Sequence, residues 1–119
     1  MLLRCVVELL PRFAYRFSSE AILHKGMAQV LADAGIEFEH ELVAGPKDRF
    51  DFLLPGGIVI EAKVRGSMSA ALEQLRRYAA RDDVSAVVLV TTRYWGRAQL
   101  VDELNGKPIR MVKLQGDAF

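Results

Sequence analysis

Arg49-Phe50-Asp51-Phe52-Leu53-Leu54-Pro55-Gly56-Gly57-Ile58-Val59-Ile60-Glu61-Ala62-Lys63 holds two apolar runs joined by a turn. Proline presets one backbone angle and glycine accepts positive φ, so Pro55-Gly56-Gly57 is a strong turn signal. Ile58-Val59-Ile60 is a β-branched run suited to a strand. With three residues in the loop, Leu54 pairs with Ile58, and counting outward sets Asp51 opposite Glu61. Side chains alternate along a strand, so Glu61 and Lys63 share a face and Ala62 points away. Asp51, Glu61 and Lys63 are then expected to converge on one patch of sheet, with the Cβ atoms of the two acids about 5 Å apart. Two carboxylates beside an ammonium suit a divalent cation and hydrolytic chemistry. A two-residue loop would instead pair Asp51 with Ala62 and break the cluster.

Working outward, Ser18 or Ser19 can cap a helix that ends at Gly35. Leu23, Met27, Val30, Leu31 and Ala34 form its apolar stripe. Glu20 sits in its first turn, where the helix dipole favours an acid, and borders that stripe. Residues 36–43 alternate as a strand, with Ile36, Phe38, His40 and Leu42 on one face and Glu37, Glu39 and Glu41 on the other. After Gly66-Ser67 a helix is expected over 68–81, with Gln74 and Tyr78 one turn apart. Ala86-Val87-Val88-Leu89-Val90 reads as a strand buried on both faces. Trp95 to Leu104 suggests another helix, closed by Asn105-Gly106, and Ile109 to Leu114 a last strand. The first three strands can form an antiparallel meander, and the helix from Met68 a crossover to the Ala86 strand. The expected fold class is α/β, a mixed sheet flanked by helices.

The chain has 119 residues, 51% apolar and 26% charged, as expected of one folded domain with a single core. Residues 1–17 would be a packed arm, 18–92 the core, and 93–119 the C-terminal helix and strand. Sixteen basic and fifteen acidic residues leave a net charge of +1, so nucleic-acid binding would need a local basic patch. Cys5 is the single cysteine, which excludes an internal disulfide and a cysteine-built zinc site and fits a reducing, cytoplasmic setting. The apolar stretch from Met1 to Leu10 is interrupted by Arg4 and Glu8. It is too short to span a bilayer and lacks a signal-peptide cleavage pattern, so no membrane association is expected.

The ordered set of Glu20, Asp51, Glu61-Ala62-Lys63, Gln74 and Tyr78 resembles the PD-(D/E)XK nuclease superfamily, the restriction-endonuclease-like fold with an αβββαβ core. The likeness covers residues 18–92. Glu-x-Lys alone carries little, and the order of the pieces carries the resemblance. A helical glutamine followed four residues later by tyrosine is similar to the RecB-like branch. The small size is more like Holliday-junction resolvases and phage-type nucleases. Phe50 stands where a proline often precedes the motif aspartate, as in many members that lack it.

The resemblance implies a Mg²⁺- or Mn²⁺-dependent deoxyribonuclease, with Asp51, Glu61 and the backbone carbonyl of Ala62 as metal ligands. Glu20 is a further candidate ligand and catalytic residue. Lys63 would act on the attacking water or the transition state, and Gln74 would orient Lys63 or touch a phosphate. Tyr78, Arg76, Arg77 and Arg81 are the candidate DNA contacts. His24 reads as a surface or supporting histidine, because sites of this kind are oxygen-rich. Glu41 is a minor candidate for an additional acid. No separate recognition domain is visible, so cleavage is expected to be directed by DNA structure or a partner, and double-strand cutting would require a homodimer. The alternative is a non-catalytic nuclease-like module that binds DNA or protein.

Overall fold

The computed structural model describes residues 1–93 and 101–117. Among these, α1 (Leu2–Leu9), β1 (Ala14–Arg16) and α2 (Glu20–Asp33) precede three successive strands, β2 (Glu39–Val43), β3 (Arg49–Leu54) and β4 (Ile58–Lys63). Then come α3 (Met68–Ala79), β5 (Ala86–Thr91), β6 (Glu103–Leu104), β7 (Lys107–Lys113) and β8 (Gln115–Asp117). The class is α/β. A six-stranded mixed sheet has the order β2-β3-β4-β5-β7-β6. No helix of the described residues is long and apolar enough to cross a membrane.

The hairpin takes the three-residue loop, with Leu54 opposite Ile58, Leu53 opposite Val59 and Phe52 opposite Ile60. Gly56 and Gly57 both have positive φ, which explains why the turn needs glycine. Gly57 is also wedged against the loop before β5. A Cβ there would lie 2.6 Å from the Asp83 carbonyl oxygen, and the Gly57 carbonyl accepts a hydrogen bond from the Ser85 amide at 2.8 Å. The turn thereby sets the start of β5, which runs parallel to β4 with Ile58 opposite Ala86 and Lys63 opposite Thr91. Helix α3 makes the crossover between these parallel strands. All six residues of β5 are buried, as expected for a central strand covered on both faces.

Two apolar layers enclose the sheet. Leu23, Met27 and Leu31 of α2, with Val6 and Leu10, pack on Phe52, Leu54, Ile58, Ile60 and Val88. Ala71, Leu75, Tyr78 and Ala79 of α3 pack on Phe50, Val59, Val87 and Leu89. Ser19 caps α2 by accepting a hydrogen bond from the Ile22 amide, and Ser67 caps α3 in the same way through Ala70. Gly35, just past α2, has φ +73°, the left-handed conformation that ends a helix.

Two expectations change. Residues 1–17, expected as a packed arm, carry regular structure of their own. Leu2–Leu9 is helical, and Ala14–Arg16 pairs in parallel with β8, with Tyr15 buried and its hydroxyl donating to the Leu10 carbonyl at 2.7 Å. The helix expected over Trp95 to Leu104 lies mostly outside the described residues, and its described end is strand. Glu103 and Leu104 pair antiparallel with Pro108 and Lys107. Asn105 and Gly106 both have positive φ, at 51° and 75°, so this dipeptide is a two-residue hairpin turn and not a helix stop.

Candidate functional site

Asp51 sits where the ladder changes character. In the antiparallel pairing of β2 with β3, His40 lies opposite Phe52 and Leu42 opposite Phe50, and Glu41 and Asp51 between them make no backbone pair. Glu41 has φ +54°. Alternation fails on both strands here. Phe52 packs in the α2 layer, and Phe50, two residues away, packs in the α3 layer. The β3–β4 pairing likewise ends at Phe52 and Ile60.

Side chains replace the missing rung. The Asp51 amide donates to Glu61 Oε1 at 3.2 Å, and the Ala62 amide donates to Asp51 Oδ2 at 2.8 Å. Each acid thus satisfies a buried amide beside the other, which would otherwise cost roughly 1–3 kcal/mol. Asp51 is 8% exposed and Glu61 2%.

Glu61 points to the α3 layer. Its Oε1 also accepts from the Tyr78 hydroxyl at 3.3 Å, and its Oε2 lies 3.7 Å from Lys63 Nζ. Gln74 Nε2 donates to the Tyr78 hydroxyl at 2.9 Å, and that hydroxyl reaches the Arg49 carbonyl at 3.0 Å. Burial, then repulsion from Asp51, pushes the Glu61 carboxyl up to about 7. Lys63, the Asp51 amide and the Tyr78 hydroxyl oppose that shift without cancelling it. Burial and the charge of Glu61 hold the Tyr78 phenol well above its usual range.

Asp51 also touches the α2 side. Its Oδ2 lies 3.3 Å from Nε2 of His24, an ion-pair distance, but without hydrogen-bond alignment, so Nε2 is a buried nitrogen with no hydrogen bond. His24 Nδ1 is 2.9 Å from His40 Nε2. Glu41 Oε1 lies 3.9 Å from each of these two nitrogens and 3.8 Å from the Arg49 guanidinium. Phe52 packs against both imidazole rings. Burial works to lower the His24 pKa, but Asp51, Glu20 and Glu41 outweigh it, and the net shift is upward.

The structure therefore brings together Asp51, Glu61, Lys63, Gln74 and Tyr78. They do not lie on one face as strict alternation would have it. Glu61 and Lys63 share the α3 side, and Asp51 links them through the sheet to His24. Glu20 stands one turn before His24, is exposed, and makes no hydrogen bond or ion pair to either acid. Ala62 contributes its amide to Asp51, and its side chain packs in the α2 layer.

Tyr78, expected to contact DNA, is fully buried beneath Glu61 and holds that carboxylate instead. Arg77 and Arg81 both pair with Asp48, and Arg81 pairs with Asp83 as well. They fasten the loop before β3 to α3. Arg76 is exposed and has no ion pair among the described residues. Residue patterns gave too little weight to the histidines. His24 directly follows Leu23 of the buried stripe, and His40 lies on the apolar side of β2, two signals that they face each other. Comparison with known protein families, curated proteins and solved structures found no match to this chain.

Proposed function

We propose that the chain is a divalent-metal-dependent phosphodiesterase acting on DNA, with the site arrangement of PD-(D/E)XK nucleases on a restriction-endonuclease-like fold. The observation that carries this reading is the exchange of hydrogen bonds between Asp51 and Glu61 where β3 and β4 part, with Lys63 beside Glu61. The succession α2, β2, β3, β4, α3, β5 also accords with an αβββαβ core.

The donor set fits a hard cation such as Mg²⁺ or Mn²⁺, which prefers carboxylate oxygens and keeps several waters. Asp51 and Glu61 would hold it. Asp51 Oδ1 and Glu61 Oε2 accept no hydrogen bond from the described residues, and burial, then the charge of Asp51, pushes Glu61 up to about 7 even with Lys63 beside it. When bound, such a cation supplies a water of lowered pKa and offsets charge developing on phosphate. Lys63 would steady the anionic transition state. Gln74 acts through Tyr78, whose hydroxyl fixes Glu61 Oε1 and leaves Oε2 for chemistry. Arg76 offers a contact to the DNA backbone. Cutting both strands would take two copies of the chain.

The test is incubation with supercoiled, linear, single-stranded and four-way-junction DNA, each with Mg²⁺, Mn²⁺ or excess EDTA. Cleavage of at least one substrate that needs metal and is lost in Asp51→Asn is expected. Full cleavage in EDTA would reject the mechanism. DNA binding without cleavage of any substrate would favour a non-catalytic DNA-binding module.

A further inference from the structure

The geometry points to a second cation site, for a divalent transition metal, formed by His24 Nδ1, His40 Nε2 and Glu41 on the α2 side of the sheet. The three ligand atoms all lie within 4.8 Å of one another. Their separations are 2.9, 3.9 and 3.9 Å. A tetrahedral cation with bonds of roughly 2.0–2.2 Å sets its ligand atoms about 3.4 Å apart, so small side-chain movements suffice. Glu41 reaches the group because its positive φ turns it to the same side as His40, against the alternation of the strand.

Two further features suit a metal. The first is the other nitrogen of His24. Ligating imidazoles almost always present their second ring nitrogen to a carboxylate or carbonyl, which fixes the tautomer and ring orientation. His24 Nε2 is buried, has no aligned hydrogen bond, and lies 3.3 Å from Asp51 Oδ2. With Nδ1 on a metal, the single imidazole proton must sit on Nε2, facing that carboxylate. The second is access. His24 is 4% exposed, but the side chains of His40 and Glu41 are 38% and 44% exposed. One wall is rigid and the other is open, leaving an entry path and a fourth position for water or an exchangeable ligand.

Two imidazoles and one carboxylate select Zn²⁺, Co²⁺, Ni²⁺ or Mn²⁺ over Mg²⁺. The site is therefore chemically distinct from the oxygen pair of Asp51 and Glu61. Asp51 joins the two, through its carboxylate on one side and His24 on the other.

The experiment is titration of the full chain with Co²⁺, read by visible absorption, and with Zn²⁺, read by calorimetry. Each is repeated on His40→Ala, Glu41→Gln, Asp51→Asn and Glu61→Gln. Expected is one equivalent of Co²⁺ with the intense spectrum of a four-coordinate ion, unaffected by excess Mg²⁺. His40→Ala should abolish that spectrum with its circular dichroism unchanged, and Glu41→Gln should weaken it. Asp51→Asn should cost on the order of tenfold in affinity, as loss of a supporting carboxylate does. Glu61→Gln should leave binding intact. Absence of stoichiometric Co²⁺ or Zn²⁺ binding overturns the proposal, as does binding indifferent to His40→Ala. Binding lost in Glu61→Gln but kept in His40→Ala would assign the ion to the carboxylate pair, which overturns this site and leaves the nuclease reading standing.

Discussion

Glu61→Gln should make the metal-free chain more stable at alkaline pH and have no such effect in acid. An ordinary glutamate ionises near 4.5, and Glu61 is pushed up to about 7 by burial and by Asp51. The fold therefore holds this proton more tightly than the unfolded chain does. The associated stability is fully present below pH 4.5 and is lost as pH rises through 7. At about 1.4 kcal/mol per pH unit, ionising Glu61 costs the fold about 3 kcal/mol by pH 8.5. Glutamine keeps an Oε1 that can accept from the Asp51 amide and the Tyr78 hydroxyl. It also sets an amide nitrogen near Lys63, which takes back part of the gain. The net stabilisation at pH 8.5 should be about 1–3 kcal/mol, or several degrees in Tm for a chain of this size. Urea unfolding in EDTA from pH 4.5 to 8.5 measures it. The parent should lose stability relative to the variant across that range, and replacing EDTA with Mg²⁺, which carboxylates hold and the imidazole site does not select, should restore the parent while leaving the variant unmoved. A difference that does not depend on pH, or a variant weaker than the parent at pH 8.5, would refute the reasoning.

Lys63→Ala should lower single-turnover DNA cleavage on the order of a hundredfold or more, while equilibrium DNA affinity falls far less, because one phosphate contact among several contributes modestly. Equal losses of rate and affinity would make Lys63 only a basic contact. Arg76→Ala should weaken binding and reduce its salt slope by about one, with the saturated rate nearly unchanged; binding measured at two salt concentrations decides this. Gly57→Ala should destabilise the chain by about 1–3 kcal/mol in denaturant unfolding, because φ is +84° and the new methyl would meet the Asp83 carbonyl.

The hairpin and the central strand were legible in the residues because their signals are local. Pro55-Gly56-Gly57 sets both the loop length and the register, and the apolar run from Ala86 to Val90 admits little but a buried strand. Asn105-Gly106 was ambiguous because both residues favour positive φ, which serves a helix end and a tight hairpin equally. Helix Leu2–Leu9 was obscured by the charges within it and by Pro11, although Val6 and Leu10 bury at helical spacing. At the site, the pair Glu61 and Lys63 followed from alternation. The group of His24, His40 and Glu41 did not, because it depends on a backbone angle at Glu41 that its residue type disfavours. Period-two reasoning sends Glu41 to the face opposite His40 and keeps Phe50 and Phe52 together, and the twist at this rung reverses both.

The paired amides of Asp51 and Ala62 separate what the backbone requires of the two acids from what chemistry would require. The backbone needs only an accepting oxygen at each position, which a side-chain amide also provides. The charge is needed for a cation. Asp51→Asn and Glu61→Gln each exchange one oxygen for nitrogen and keep the oxygen that closes the hairpin. In evolutionary terms the fold stands one or two base changes from folded descendants without the charge a cation would need, so a lineage could lose the proposed chemistry without first losing its structure.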